Sequence, residues 1–222
     1  TPFVNGEYYH LYNRGVNRQN TFSDKRDYSR FIQTLFYYQI ANPKPKFSLY
    51  KQSSHYKIDD SKKIVEIICY CLMPNHFHLL VKQLQDGGIS EFIRRLSDSY
   101  TRFFNTKYGR VGALLQGKFK AKLVEKDEYL LQLSKYIHRN PLTLPMWKGE
   151  LTEYSFSSYP GYLSESRRYE FCDIKTIGDY FITSNKLLSY QSFVEESNEI
   201  SLPEALFIEN DYEIDTSDVV SE

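Results

Sequence analysis

Ile64-Val65-Glu66-Ile67-Ile68-Cys69-Tyr70-Cys71-Leu72-Met73-Pro74-Asn75-His76-Phe77-His78-Leu79-Leu80-Val81-Lys82 is the stretch that decides how this chain folds. Residues 64–72 are an apolar run with several β-branched members, and Pro74-Asn75 supplies turn chemistry. Residues 76–82 then read as a second strand joined to the first by that turn. Side chains alternate between faces along a strand, so His76 and His78 point one way and Phe77 the other. Two imidazoles on one strand face can share a metal ion, because imidazole is a common ligand for transition metals. A His-x-His triplet by itself fits equally with solvated or hydrogen-bonded histidines. The rest of the chain has to decide.

Upstream, residues 7–13 are rich in β-formers and read as a strand, followed by a turn at Arg14-Gly15-Val16-Asn17. Ser23 or Asp24 can cap a helix whose apolar positions Tyr28, Phe31, Ile32, Leu35 and Phe36 keep helical spacing. Asn42-Pro43-Lys44-Pro45 should end it near Ile40. Residues 47–50 suggest a short strand and 52–62 a polar loop. Downstream, Asp86-Gly87-Gly88 punctuates, and Ser90 should open a second helix with Phe92, Ile93, Leu96, Tyr100, Phe103 and Phe104 on its apolar side. A glycine-containing loop, 109–117, leads to an alternating strand at 118–124. Asp127 then caps a third helix that runs to about Arg139 and stops at Pro141.

The order strand, helix, two strands, helix, strand, helix predicts an α+β fold, a ferredoxin-like antiparallel sheet with helices packed on it. We expect one domain over 1–150 and an acidic C-terminal extension over 151–222, partly helical and disordered from Glu204. The totals of 28 basic and 28 acidic residues conceal a division. Residues 151–222 hold 4 basic and 15 acidic residues, leaving 24 basic and 13 acidic in 1–150. A basic body implies a polyanionic partner, and the acidic end would screen it or make a second contact. No apolar run reaches the roughly 20 residues of a membrane helix. Thr1-Pro2-Phe3 lacks a signal-peptide layout, and Cys69, Cys71 and Cys172 read as free thiols of a reducing cytoplasm.

The third helix carries the remaining chemistry. Tyr136 and Asn140 are four apart and share a face. A phenol beside an amide oxygen, aimed at a two-histidine metal site, would provide a nucleophile and a third ligand for phosphodiester cleavage. The same spacing fits a core tyrosine, and this chain has 20 tyrosines.

Several segments together resemble one family. Met-Pro-Asn-His-Phe-His-Leu-Leu at 73–80 is similar to the HUH motif of single-tyrosine transposases, and Tyr136-Ile137-His138-Arg139-Asn140-Pro141 to their Tyr-Ile-x-x-Asn-Pro segment. Tyr9-His10-Leu11-Tyr12-Asn13-Arg14-Gly15, Tyr100-Thr101-Arg102-Phe103-Phe104-Asn105, Gln116-Gly117-Lys118-Phe119-Lys120 and Tyr154-Ser155-Phe156-Ser157-Ser158-Tyr159 follow the same pattern. The resemblance spans 8 to about 162 and is closest to the REP-associated tyrosine, or "transposase 17", group.

That resemblance implies an HUH endonuclease fold and a strand transferase acting on single-stranded or hairpin DNA, with nucleoid association when DNA is bound. His76, His78 and Asn140 would hold Mg²⁺ or Mn²⁺, and Tyr136 would form a 5′-phosphotyrosine. His10 would have a supporting role, and His138 would face elsewhere. Arg14, Asn17, Arg94, Arg95, Arg102, Lys107, Arg110, Lys118, Lys120 and Lys122 are the expected DNA contacts, interleaved with aromatics that could stack on bases. Lys118 stands where many relatives have Arg, which keeps charge but loses bidentate geometry. Some relatives are homodimers acting in trans and others monomers acting in cis. A replication-initiator or relaxase-like nickase, or a catalytically silent hairpin-binding module, are the alternative functions.

Overall fold

The computed structural model describes residues 2–52, 59, 61–163, 171–181, 189–196, 200 and 202–203. The acidic end from Glu204 and most of the polar stretch 52–62 lie outside the described residues.

Four strands, β1 (Tyr8–Arg14), β2 (Val65–Met73), β3 (His76–Gln83) and β4 (Lys120–Val124), form one sheet in the order β2-β3-β1-β4. Every neighbouring pair is antiparallel. Between β1 and β2 run α1 (Lys25–Tyr38) and the short α2 (Phe47–Gln52), and α3 (Gly88–Tyr108) joins β3 to β4. The helix α4 (Asp127–Arg139) follows β4. This is the ferredoxin-like arrangement expected from element order, with one helix added.

The sheet divides two cores. Leu11, Phe77, Leu79 and Val81 pack with Phe31 and Leu35 of α1 and Phe92, Leu96 and Tyr100 of α3. On the other face, Ile68, Cys69, Cys71 and Leu80 pack with Leu130, Leu133, Tyr136 and Ile137 of α4. Alternation alone would not send both Ile68 and Cys69 to the α4 side. A register shift between Ile67 and Cys69 inserts one residue and reverses the phase, so that Tyr70 and Leu72 return to the α1/α3 side. All three cysteines are free and buried.

The region beyond 150 contributes to the second core through Leu151, Tyr154, Tyr159, Ile177, Tyr190 and Val194. Its chain also covers the outer edge of β2: Leu72 N donates to Phe156 O at 3.0 Å, and Ser158 N to Tyr70 O at 3.0 Å. An open edge strand is thereby closed.

Several local expectations are corrected. Residues 47–50 are helical, because Phe47 and Tyr50 share one helix face and both pack against Tyr37, with ring centres 5.2 and 4.9 Å away. A short apolar run cannot by itself distinguish strand from helix. The cap of α4 is Lys126, with Asp127 inside the first turn, where its charge favours the helix dipole. Asp24 is the cap of α1 and forms a reciprocal capping box with Asp27. That helix ends at Tyr38, α3 begins at Gly88, and β4 begins at Lys120.

Candidate active site

The β2–β3 turn is fixed by the loop after β1. Pro74 O accepts from Thr21 N at 2.8 Å and Phe22 N at 3.0 Å, and Asn75 O accepts from Gly15 N at 2.7 Å. Asn75 Nδ2 donates to Arg18 O at 3.2 Å, which turns its Oδ1 toward His76 Nδ1, 2.6 Å away. A carbonyl oxygen only accepts, so His76 carries its proton on Nδ1 and Nε2 keeps a lone pair.

His76 and His78 occupy the α4 face, their rings 5.0 Å apart and nearly perpendicular. Register on the adjacent strand places Arg14 opposite His76 and Tyr12 opposite His78. His10, two residues before Tyr12, is fully buried, and its Nε2 lies 2.9 Å from His78 Nδ1. Tyr136 on α4 brings its ring to 5.4 Å from that of His78 and 6.2 Å from that of His10, edge-on to both. Asn140 is buried one turn further, its Nδ2 donating to Tyr136 O at 3.2 Å. Its carboxamide also comes within hydrogen-bonding reach of both His76 and His78. A single chain thus brings Tyr136, Asn140, His76 and His78 together.

Burial pushes His76 down to about 4; the Asn140 carboxamide counteracts this in part, while the Arg14 charge adds to it. His78 is held well below the ordinary histidine range, first by burial and then by the neighbouring His76 and His10. Both rings are therefore neutral at pH 7. Nε2 of each is buried with no hydrogen-bond partner. Unpaired buried polar atoms are costly and uncommon. Two such lone pairs beside an amide oxygen fit a divalent cation. Among the described residues no group of three His, Cys, Asp or Glu side chains is placed to hold one, and the carboxamide of Asn140 is the further polar group beside both imidazoles.

The expected DNA contacts separate into groups. Lys122 lies opposite His10 and Lys120 opposite Tyr12, on the face of the sheet that carries the histidines. Arg14 Nε donates to Gln116 Oε1 at 2.7 Å at the rim, and Asn17 is exposed in the loop with a left-handed φ of 54°. Arg94, Arg95, Arg102 and Lys107 belong to α3, across the sheet from Tyr136. The expected contacts therefore do not form one continuous basic surface. Lys107 is bound by Asp24 at 2.6 Å and Asp27 at 2.7 Å, and Arg110 donates to Gln19 at 3.0 Å. Tyr100 and Phe104, two of the aromatics interleaved with these cations, are core, as their place on the apolar side of the helix implied. His138 faces away from the histidine pair, held by Tyr190 Oη at 2.6 Å and Ser158 Oγ at 2.8 Å.

Sequence reasoning missed the fixing role of Asn75 and the contact made by His10. Period-two alternation put His10 and Tyr12 on one face of β1 and was the available signal; pairing with β3 across 68 residues was not readable.

A ferredoxin-like sheet that presents two histidines to a tyrosine-bearing helix defines the HUH class of fold. The chain belongs to the IS200-like transposase family, whose family model matches residues 4–140. It is thus an enzyme of DNA transposition, and DNA is its partner. Its fold is similar to that of a REP-associated tyrosine transposase solved bound to a REP hairpin, with 14% identity, 73% of this chain and 82% of that chain covered, and a TM-score of 0.50. A transposase structure from Deinococcus radiodurans R1 shares 16% identity over 62% of this chain and 92% of that one, at a TM-score of 0.35, too remote to carry an argument. No curated protein matches the chain. Among the described residues no helix is long and apolar enough to cross a membrane.

Proposed function

We propose that this transposase is a metal-dependent strand transferase for single-stranded DNA flanked by a hairpin, with Tyr136 as nucleophile and a 5′-phosphotyrosine as covalent intermediate. The observation that carries the reading is the pair of orphaned Nε2 atoms on His76 and His78 beside Asn140, one turn from Tyr136. His76, His78 and Asn140 would hold the ion. When bound, a divalent metal polarises the scissile phosphate and offsets charge developing on it. Two nitrogens and one oxygen form a donor set softer than Mg²⁺ prefers, which favours Mn²⁺ in vitro.

Tyr136 Oη gives up its phenolic proton to solvent water and attacks phosphorus. The P–O3′ bond breaks, its electron pair stays on the 3′ oxygen, and that oxygen takes up a proton to leave as a 3′ hydroxyl. The 5′ phosphate remains on Tyr136 until another 3′ hydroxyl displaces it. A free phenol has a pKa of about 10, so the phenolate needs positive potential. Lys120 and Lys122 supply it from the same sheet face. Arg14 and Asn17, at the rim, hold the strand by its phosphates, and Lys118 stands apart from them beside Arg94 and Arg102 of α3. The proximity of Tyr136 and His78 within one chain supports action in cis. The relative solved with a REP hairpin supports hairpin DNA as the recognised element.

The test is incubation of 5′- and 3′-labelled hairpin oligonucleotides, carrying the sequence that flanks the gene, with the protein and Mn²⁺. We expect a protein adduct on the 3′ fragment alone, absent in Tyr136→Phe. An undiminished adduct in that variant would overturn the assignment.

A further inference from the structure

A second concentration of positive charge lies on the outer side of the α1/α3 layer, behind the sheet from Tyr136. A groove of about 820 Å³ runs between α1, the 43–48 segment and α3. Arg26, Arg30, Lys44 and Lys46 line it together with Arg94, Arg95, Arg102 and Lys107, against one lining carboxylate, Asp98. Asp98 lies 3.6 Å from Arg94 and Lys107 is committed to Asp24 and Asp27, while Glu91 pairs with Arg95. Arg26, Arg30, Lys44, Lys46 and Arg102 have no ion-pair partner among the described residues. Clustered cations without counter-charge repel one another and bind a polyanion by releasing its counterions.

The groove is also built, not merely charged. The Arg30 guanidinium lies 4.2 Å from the ring centre of Phe47 and 5.1 Å from that of Phe103, held between α1, α2 and α3. Its Nε and the Nη1 of Arg95 are buried without hydrogen-bond partners. Burial lowers the Arg30 pKa, as expected for a cation short of solvent and short of an anion. Buried guanidinium donors are normally satisfied.

The aromatics decide which polyanion fits. Single-strand sites offer open aromatic faces on which bases stack. Here Phe103 is covered by Arg30 and Lys107, and Tyr37 and Phe47 are buried in a cluster with Tyr38 and Tyr50. What remains is recognition of phosphates without bases, which suits a duplex whose bases are paired and turned inward.

We propose that this groove binds the phosphate backbone of a DNA duplex, the stem portion of the substrate, at a distance from the cleavage site. The inference rests on the reading of the chain as a strand transferase for hairpin-flanked DNA. It adds Arg26, Arg30, Lys44 and Lys46 to the DNA-contacting surface and makes the opposite face of the sheet a second point of attachment. Substrate must pass round the sheet edge to touch both.

The test compares wild type with Arg26→Ala/Lys44→Ala/Lys46→Ala in the full chain, three exposed positions whose truncation leaves the cores intact. Two probes are used with Mn²⁺: a short single strand spanning the cleavage position, and the same strand continued into a hairpin stem. The variant should bind the stem-carrying probe at least about 10-fold more weakly at low salt, with a log–log salt slope shallower by about 3. Cleavage of the short strand should change less than two-fold. Unchanged affinity and slope, or equal losses on both probes, would overturn the proposal. A tighter grip on the equivalent RNA stem would overturn the choice of DNA. If wild type forms no tyrosine adduct yet the stem-specific loss persists, the groove stands and the catalytic reading falls.

Discussion

On one face of β3, Phe77, Leu79 and Val81 are fully buried against α1 and α3; on the other, His76 meets His78, and His78 meets His10, Tyr12 and Tyr136. Both faces come from the same eight residues. Phe77, Leu79 and Val81 carry no polar side-chain atom, and Gln83, next in phase with them, is hydrogen-bonded to Phe3 O, Asn5 Oδ1 and Ile89 N. The histidine face leaves two buried nitrogens unpaired, an arrangement that lowers stability unless something binds there. The difference teaches that the sheet is a partition. One side anchors the strand rigidly, and that rigidity lets the other hold two imidazoles in a fixed relation.

Tyr136→Phe should separate the two faces most sharply. It removes the proposed nucleophile, and adduct formation on a labelled hairpin strand should fall by about 10⁴-fold or more, as expected when a covalent catalyst loses its attacking atom. The melting temperature should barely move, because the ring stays in the second core. Phe77→Ala should do the converse. Truncating a fully buried phenylalanine costs about 3–5 kcal/mol through lost burial and a residual cavity, measurable by urea denaturation. Its folded fraction should still bind Mn²⁺. A large loss of metal affinity at temperatures where Phe77→Ala is folded would show that the faces are not separable.

Local pattern carries the partition and little of what is fixed across it. Alternation over 76–82 gives the facing of His76, Phe77 and His78, and helical spacing gives the buried stripes of α1, α3 and α4. The bulge after Ile67 has no local mark; Ile68 reads as one more apolar residue in an apolar run. The helical state of 47–52 depends on Tyr37, ten residues earlier, whose ring Phe47 and Tyr50 both meet. The contact of His10 with His78, the closure of β2 by 156–158 and the separation of the α3 cations from Tyr136 all follow from strand order. Strand order is set by long-range pairing and is invisible in any window of sequence.

His138 tests whether buried histidines on the α4 side are alike. Both of its ring nitrogens are hydrogen-bonded, so it is held neutral for structural reasons, and burial pushes it down to about 3. The unfolded chain takes up a proton near the ordinary value of 6.5 and the folded chain does not, so stability is full above 6.5 and declines as pH falls toward 3. At pH 4.5 this one group should cost about 2.5 kcal/mol relative to pH 7, from 1.36 kcal/mol per unit. His138→Gln should flatten the pH dependence of urea stability by that amount. An unchanged slope would mean that His138 protonates in the folded state.

His10 bears on the comparison most finely, because it is a buried imidazole that touches a proposed ligand. For His78 to present the Nε2 lone pair, its proton must lie on Nδ1 and be donated to His10 Nε2, 2.9 Å away. His10 then plays for His78 the part that Asn75 plays for His76, so each proposed ligand is oriented by a neighbour. Removing such a partner typically weakens metal binding about 10–100-fold. His10→Leu should therefore reduce Mn²⁺ affinity by that factor, read by electron paramagnetic resonance of the free ion rather than by activity. His10→Gln, whose Oε1 can accept the same proton, should recover most of the loss. A purely packing role would give the reverse order, with Leu tolerated in the buried site and Gln not. Equal affinity in wild type and both variants would show that His78 is oriented by its strand alone.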